Sequence, residues 1–162
     1  MTAIHYGWYR LADLSGPVVH EIIRLRESVF VVEQACAYQE ADALDEHAWH
    51  LLARVGTDVS QRPEHGTLAA YLRVVDPGAK YAEPSIGRVL TASEHRRVGL
   101  GRPLMRQAIV RARAVHGPVG IRISAQCYLQ GFYESLGFDV TGQAYLEDDI
   151  PHVEMWLAPP DR

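Results

Sequence analysis

The sequence predicts a single α/β domain whose central sheet is mixed and mostly antiparallel. Strand-like and helix-like segments follow one another in the order β-α-β-β-β-α-β-α-β-β. Three strands therefore come in succession without a helix between them, which favours antiparallel neighbours. Strands and helices do not alternate regularly, so the pattern is not that of a doubly wound parallel sheet.

The N-terminal part of the chain is predicted to contain a strand, a helix and a polar loop. Tyr6 to Leu11 combines aromatic and aliphatic residues, as strands do. The Ser-Gly-Pro triplet at 15–17 can cap and begin a helix. Residues 29–32 either continue this helix or form an extended segment, and the acidic residues 33–42 are expected to form a loop. The predicted buried face of the helix contains Val18, Ile22, Leu25 and Val29.

Three predicted strands follow. Ala48 to Val55 and Thr67 to Val75 are rich in aliphatic residues. The segment 56–66 between them is polar, with Pro63 and Gly66, and is expected to be a hairpin loop. Asp-Pro-Gly at 76–78 is a turn signal, and Ile86 to Thr91 is the next strand.

The C-terminal half begins with an amphipathic helix, predicted from Gly99 to Val115 and ended by His-Gly-Pro at 116–118. Leu100, Leu104, Ala108, Ala112 and Val115 recur with a period near four on one face of it. The remaining predicted elements are a strand at 119–124, a short helix at 129–136, and strands at 138–145 and 152–157.

Length and composition exclude several classes of protein. A chain of 162 residues fits one domain over 1–162. The net charge of -4 gives no reason to expect binding to nucleic acid or to an anionic membrane. The first residues lack signal-peptide features, and no apolar run could span a bilayer. Cys36 and Cys127 follow no metal-ligand spacing, nor do the histidines, so we expect no metal and a reducing, cytoplasmic location.

The most informative motif is Arg-Arg-Val-Gly-Leu-Gly at 96–101, which lies between the strand 86–91 and the long helix. Free N–H groups and the dipole at a helix N-terminus attract an anion, and glycines let the backbone approach it closely. Arginines are unfavourable at a helix start unless an anion is bound there. The motif therefore predicts a phosphate-binding loop.

The spacing of this loop narrows the choice of ligand. Arg-x-x-Gly-x-Gly is not the Gly-x-Gly-x-x-Gly of dinucleotide sites, and it lacks the Gly-Lys-Ser/Thr ending of a P-loop. It also follows several strands, whereas a dinucleotide motif would open the fold. These differences leave another pyrophosphate ligand, coenzyme A.

A second motif, Tyr133-Glu134-Ser135-Leu136-Gly137-Phe138, follows one strand and one turn after the long helix. Together the two motifs resemble those of the GNAT superfamily of N-acetyltransferases. The resemblance extends along nearly the whole chain to the ElaA-like branch. The segments that carry it are 25–34 with Cys36, Tyr38 and Gln39; 86–89; 125–133; and 145–152.

The resemblance implies a GNAT fold of about seven strands, splayed where acetyl-CoA binds as a cosubstrate. Backbone groups of the strand before the loop would bind pantetheine and polarise the acetyl carbonyl, and the loop would bind the pyrophosphate. Tyr133 would protonate the departing thiolate as a general acid, although it can also be a core aromatic residue. The implied cofactor-binding residues are Val89, Leu90, Thr91, Arg96, Arg97, Val98, Gly99, Leu100, Gly101, Arg102 and Gln126.

On the acceptor side, the expected substrate is a primary amine of a small molecule or peptide. His152 is either a general base, since histidine exchanges protons near neutral pH, or a surface residue that begins the last strand. Glu33 is either part of the acceptor wall or a solvated loop residue. The acidic run 33–46 favours a cationic acceptor.

The resemblance leaves two other functions open. One is an acyltransferase related to acyl-homoserine-lactone synthases, using a longer acyl-CoA or a carrier-protein thioester. The other is a CoA-binding sensor module without turnover. A homodimer is compatible with the resemblance, because GNAT proteins often form dimers.

Overall fold

The computed structural model describes residues 3–56 and 65–161, and within them one sheet of eight strands is flanked by helices. The strand order is β1-β2-β3-β4-β5-β8-β6, and β7 pairs with β8 beside this path. The strands are β1 (Ala3–Arg10), β2 (Ala48–Gly56), β3 (Thr67–Val75), β4 (Ser85–Thr91), β5 (Ile121–Gln126), β6 (Phe138–Val140), β7 (Tyr145–Glu147) and β8 (Ile150–Leu157). The helices are α1 (Gly16–Glu27), α2 (Gly101–His116) and α3 (Gln130–Glu134).

The centre of the sheet is covered on both faces. Successive side chains of a strand point to opposite faces, so Leu51 and Leu72 pack on the side of α2, whereas Leu52 and Tyr71 pack on the side of α1. This double burial explains why β2 and β3 are almost continuously apolar. No helix among the described residues is both long and apolar enough to cross a membrane.

The two long helices bury the faces that their periodicity predicts. In α1, Val18 and Ile22 are buried against the sheet. In α2 the four fully buried residues are Leu104, Met105, Ala108 and Ala112. The mostly antiparallel sheet and most of the two predicted helical faces are thus confirmed. Val115 was wrongly predicted to belong to the apolar face of α2: it lies in the last turn of the helix and is 44% exposed.

The strands β4 and β5 diverge. They are parallel neighbours, but their register holds a single pair, Ser85 with Arg122. Beyond Ser85 the two strands separate, and the edge of β4 that faces β5 is left open. A β-bulge lies in the same part of β4: Tyr71 is opposite Leu90 and Arg73 is opposite Gly87, so the intervening part of β4 contains one extra residue.

The structure differs from the predicted elements at three places. The expected strand at 138–145 divides into β6 and β7, which raises the expected number of strands from seven to eight. The ambiguous segment after α1 is a π-helical turn, Ser28–Glu33. The helix expected from Gly99 begins at Gly101. Most of the predicted hairpin loop at 56–66 lies outside the described residues, but β2 and β3 pair as that loop requires.

Candidate active site

A cavity of about 480 Å³ opens where β4 and β5 separate. This volume is within the range of small-molecule sites. Its walls come from the π-helical turn, β4, the end of β5, α3 and the β7–β8 hairpin. Eight of the residues predicted from the sequence line it together: Glu33, Val89, Leu90, Thr91, Arg96, Gln126, Tyr133 and His152.

The other six predicted residues, which run from Arg97 to Arg102, do not line this cavity. The helix α2 begins within this segment, at Gly101, and its N-cap residue forms no side-chain hydrogen bond. No capping side chain therefore uses the first N–H groups of the helix. Arg97 and Gly99 have φ angles of 66° and 81°. Left-handed residues in such a turn can direct successive N–H groups to one anion, as the predicted pyrophosphate role requires.

Arg102 is engaged within the protein. Its guanidinium donates hydrogen bonds to the Ser135 hydroxyl at 2.7 Å and to the Ser135 carbonyl at 3.3 Å. It also lies over the ring of Phe132. In this arrangement Arg102 joins the start of α2 to the end of α3.

Arg96 connects the two sides of the cavity. Its Nη2 donates to Glu33 at 2.8 Å, and its Nε donates to the Thr91 carbonyl at 3.2 Å. Both side chains of the ion pair are about two-fifths exposed, at 43% and 40%. The residue predicted to bind the cofactor is therefore paired with the residue predicted to face the acceptor.

Gln126, at the end of β5, is bonded to Gln34, which follows the π-helical turn. Each amide donates to the other's oxygen, at 3.1 and 3.4 Å. Both residues line the cavity. Gln126 can bind pantetheine in the predicted way only if this bridge opens or shifts.

Tyr133 lies in α3, and its ring packs edge-on against Phe132 and Phe138. Its side chain lines the cavity although the residue is only 6% exposed. This burial, together with the nearby Tyr128, raises the pKa of Tyr133 to about 12. The hydroxyl is therefore protonated at neutral pH and available as a donor.

His152 lies in β8, opposite Gln126 of β5. Its Nδ1 is 2.7 Å from the carbonyl oxygen of Ile150. A carbonyl only accepts hydrogen bonds, so Nδ1 carries a proton and Nε2 of the neutral ring has a free lone pair. The ring also stacks on Tyr145, with centroids 6.1 Å apart, which further restrains its orientation.

The β7–β8 hairpin closes the cavity next to His152. Its two turn residues, Asp148 and Asp149, have φ angles of 49° and 61°, as a two-residue turn of type I′ requires. The Cys36 thiol lies 3.5 Å from the Asp148 carbonyl. On β7, the Glu147 carboxylate accepts a hydrogen bond from Ser124 at 2.8 Å. These contacts hold the hairpin against the loop at 34–40 and against β5.

A group of buried ion pairs stabilises the segments that form the cavity wall. Arg26 is fully buried, and it donates to Glu40 at 2.6 Å and to Asp45 at 2.7 Å. Arg73 also donates to Asp45 at 2.7 Å. Burial alone would raise the pKa of Asp45, but the hydrogen bonds and charges of Arg26 and Arg73 outweigh burial and lower it.

Arg88 links this group to the cavity wall. It lies in the bulge of β4 with a φ of 53°, and it donates to Glu40 at 2.8 Å and to Asp42 at 3.4 Å. Tyr38 also donates to Glu40, at 2.5 Å. A left-handed non-glycine residue costs about 1–3 kcal/mol, so the two ion pairs help to hold Arg88 in this conformation.

These ion pairs change the expectation about the acceptor. Glu40, Asp42 and Asp45 belong to the acidic run 33–46, and all three are bonded to arginines. Their charges are therefore compensated, and they give no reason to expect a cationic acceptor. Their arginine partners were missed in the sequence. The available signal was the position of Arg26, four residues after Ile22 on the buried face of α1.

The comparisons with known proteins agree with this geometry. The sequence model of the acetyltransferase (GNAT) domain matches residues 62–158. A UPF0039 protein of Synechocystis is 38% identical over 159 residues, which cover 98% of each chain. Escherichia coli ElaA is 31% identical over 150 residues, covering 89% of this chain and 90% of ElaA.

Solved structures extend the comparison to the fold. An acyl-CoA N-acyltransferase of Pseudomonas aeruginosa superposes with a TM-score of 0.86 at 38% identity, over 96% of this chain and all of that chain. The crystal structure of E. coli ElaA gives a TM-score of 0.82 at 29% identity, covering 96% and 99% of the two chains. The chain belongs to the GNAT acetyltransferase family, in its ElaA-like branch.

Proposed function

We propose that this protein is an acetyl-CoA-dependent N-acetyltransferase that acetylates a primary amine by direct attack. The observation that carries this proposal is that three features line one cavity: the open edge of β4, Tyr133 and His152. Each serves one requirement of acyl transfer from a thioester.

The donor is bound by the backbone. Val89, Leu90 and Thr91 lie on the part of β4 that has no strand partner on the side of β5, so pantetheine can add there as a strand would. The uncapped start of α2 receives the pyrophosphate, and Arg96 and Arg97 add positive charge. Bound in this way, the thioester supplies an activated acyl carbon at the centre of the cavity.

His152 serves as the base. Its Nε2 takes a proton from the acceptor ammonium group, directly or through one water molecule, so that the amine has a free electron pair. Its Nδ1 stays bonded to the Ile150 carbonyl, which keeps the ring in one orientation. Glu33 also lines the cavity, and its charge becomes available to the amine when Arg96 turns from it to the pyrophosphate.

Tyr133 acts as the hydrogen-bond donor to the leaving group, the CoA thiolate. In the overall step the new N–C bond forms and the C–S bond breaks, with the electron pair passing to sulfur. The Tyr133 hydroxyl donates a hydrogen bond to the departing sulfur and can deliver the proton that makes it a thiol. The nitrogen, which is positively charged after the attack, releases its second proton to water, and water returns one proton to the Tyr133 oxygen. Because burial raises its pKa to about 12, the hydroxyl donates strongly only when negative charge has developed on the sulfur.

Thiol release provides the test. The protein is mixed with acetyl-CoA and a panel of amino acids, polyamines, aminoglycosides and peptides, and free CoA thiol is followed with time. The proposal predicts that at least one amine accelerates release and is recovered with an added acetyl group. Binding of acetyl-CoA without acceleration by any amine would favour a sensor module. Release only with longer acyl-CoAs would favour the synthase-like acyltransferase.

A further inference from the structure

Lys80 is the one lysine in the sequence. It lies in the turn between β3 and β4, and its side chain lines the cavity at the end that Arg88, Ser124 and Glu147 also line. The residue remains accessible to solvent. No role for it follows from the transfer chemistry proposed above, since neither the thioester nor the leaving group needs a cation at this end.

Lys80 differs from the other two cations of the cavity. Arg88 is paired with Glu40 and Asp42, and Arg96 is paired with Glu33. Lys80, in contrast, forms no ion pair with any residue in 3–56 or 65–161, and its amine lies 5.3 Å from the centre of the Tyr81 ring. Within that part of the chain, it is the cavity cation whose charge is free to meet a ligand.

Lys80 and the proposed base line the same cavity. His152 stacks on Tyr145, and the Tyr145 hydroxyl is hydrogen-bonded to Ser124. Ser124 in turn donates to Glu147, which also lines the cavity. One small molecule bound in this cavity can therefore meet both Lys80 and His152.

The surroundings of the amine also favour an anion. Burial by the surrounding protein lowers the pKa of Lys80, and the charges of Arg88 and Arg73 act in the same direction, against the pull of Glu147 and Asp42. The amine of this exposed residue has no ion-pair partner among the described residues, and its one ring contact is with Tyr81, so a ligand can reach its charge. A ligand carboxylate would supply the missing charge and would restore hydrogen bonds to the amine.

We infer that Lys80 binds an anionic group of the acceptor, and that the acceptor is an amino acid or a similar amine that carries a carboxylate near its amino group. This inference rests on the proposed function, because it names the substrate class of the same site. Lys80 holds the carboxylate, Glu147 and Asp148 attract the ammonium group beside it, and the amine then faces His152. Phosphate shares the chemistry of carboxylate here, so the experiment includes both.

The test uses pairs of amines that differ only in the anionic group: tyrosine and tyramine, arginine and agmatine, and O-phosphoethanolamine and ethanolamine. Rates of thiol release with acetyl-CoA give kcat/KM for each member. For at least one pair we expect the anionic member to be better by roughly 10- to 100-fold, the range for a hydrogen-bonded charge pair. Preference for O-phosphoethanolamine over the amino acids would identify a phosphate as the anion.

Two variants test whether the preference for the anionic amine depends on Lys80. Lys80→Met removes the charge and keeps most of the length of the side chain. It should raise KM for the member with the anionic group about 10-fold or more, and it should leave KM for the member without that group unchanged. Lys80→Arg should restore most of the preference. Arg106→Met, which removes an exposed cation on α2 outside the cavity, is the control and should behave as the wild type.

Calorimetry of the same pairs in the presence of CoA separates this inference from the proposed function. If no amine is acetylated but the anionic members still bind better, and lose this advantage in Lys80→Met, the acetyltransferase proposal fails and the role of Lys80 stands. The inference about Lys80 is wrong if the amines without an anionic group bind and react as well as their anionic partners. It is also wrong if Lys80→Met weakens the binding of both members of a pair equally.

Discussion

The proposed site has two halves that are built from different parts of the polypeptide. The proposed cofactor half, formed by Val89 to Thr91 in the cavity and by the loop 96–101, offers backbone groups of consecutive residues and one exposed ion pair. The proposed acceptor half, around Lys80, Arg88 and His152, consists of side chains from distant segments, of which Arg88 is held by the buried ion-pair group. Backbone sites tolerate most side-chain changes, whereas a side-chain site depends on each partner of its network. The two halves should therefore respond differently to mutation.

The largest expected effect is on stability, in the acceptor half. Arg26→Met removes a fully buried cation that is bonded to Glu40 and Asp45. Breaking a buried pair costs about 3–5 kcal/mol, and we expect the lower end because Arg88 and Arg73 still contact the two carboxylates. Urea denaturation measures this change in the free energy of unfolding.

The matched control for Arg26 lies in the cofactor half. Arg96→Met breaks an ion pair of similar length whose side chains are exposed, and such pairs contribute about 0–1 kcal/mol. Equal losses of stability in the two variants would contradict the distinction between the two halves.

The next effect is on catalysis, where the two halves meet. Tyr133→Phe removes only the hydroxyl and should leave the affinity for CoA unchanged. A lost hydrogen bond to a charged sulfur would lower kcat about 10- to 100-fold, and lost proton transfer would lower it by up to about 10⁴-fold. Because the pKa of Tyr133 is raised to about 12, we expect the smaller loss. An equal fall in CoA affinity would contradict the assignment of Tyr133 to the leaving group.

A smaller effect tests the backbone of the cofactor half. Gly99 has a φ of 81°, and a β-branched residue there is strained by about 1–3 kcal/mol. Gly99→Val should weaken CoA binding about 10-fold in a calorimetric titration, because the loop leaves the conformation that binds the anion. Gly142→Val, at an exposed glycine without this φ and with open space around it, should bind CoA as the wild type does. Equal affinities in the two variants would show that the loop conformation is not needed.

The smallest effect concerns the contact between the halves. Glu33 holds Arg96 by an exposed ion pair, so CoA must compete with this carboxylate for the arginine. Glu33→Gln should tighten CoA binding by up to about 5-fold, as expected from removing an exposed pair. The control is Glu27→Gln, an exposed residue at the end of α1. Unchanged or weaker binding in Glu33→Gln would mean that Arg96 does not bind the pyrophosphate.

The same contrast explains what could be predicted from the sequence. The strand before the loop 96–101 and the helix after it were predicted correctly because their signals are local in the chain. The phosphate-binding role of the loop stays a prediction. The apolar faces of α1 and α2 and the main strands follow from periodicity in the same way. Tyr133 and His152 were identified through resemblance to the family, and their roles stay predictions.

The acceptor half was largely missed because its contacts join residues far apart in sequence. Gln34 bonds to Gln126, which is 92 positions away, and Arg88 bonds to Glu40, which is 48 positions away. No local pattern reports such pairs. The division of the strand at 138–145 also escaped prediction, since β6 and β7 both pair with β8 and only the tertiary fold separates them. Lys80 stands out in the sequence as the single lysine, but its place in the cavity does not follow from the sequence.

The most direct test of the account follows the acetyl group itself. The protein is incubated with acetyl-CoA labelled with ¹³C in the acetyl group and with the matched amine pairs, and the labelled products are identified by mass spectrometry. We expect label on the nitrogen of a carboxylate-bearing amine, formed much more slowly by Tyr133→Phe and with less preference for that amine by Lys80→Met. Label that appears only as free acetate, or on no amine in the panel, would contradict it.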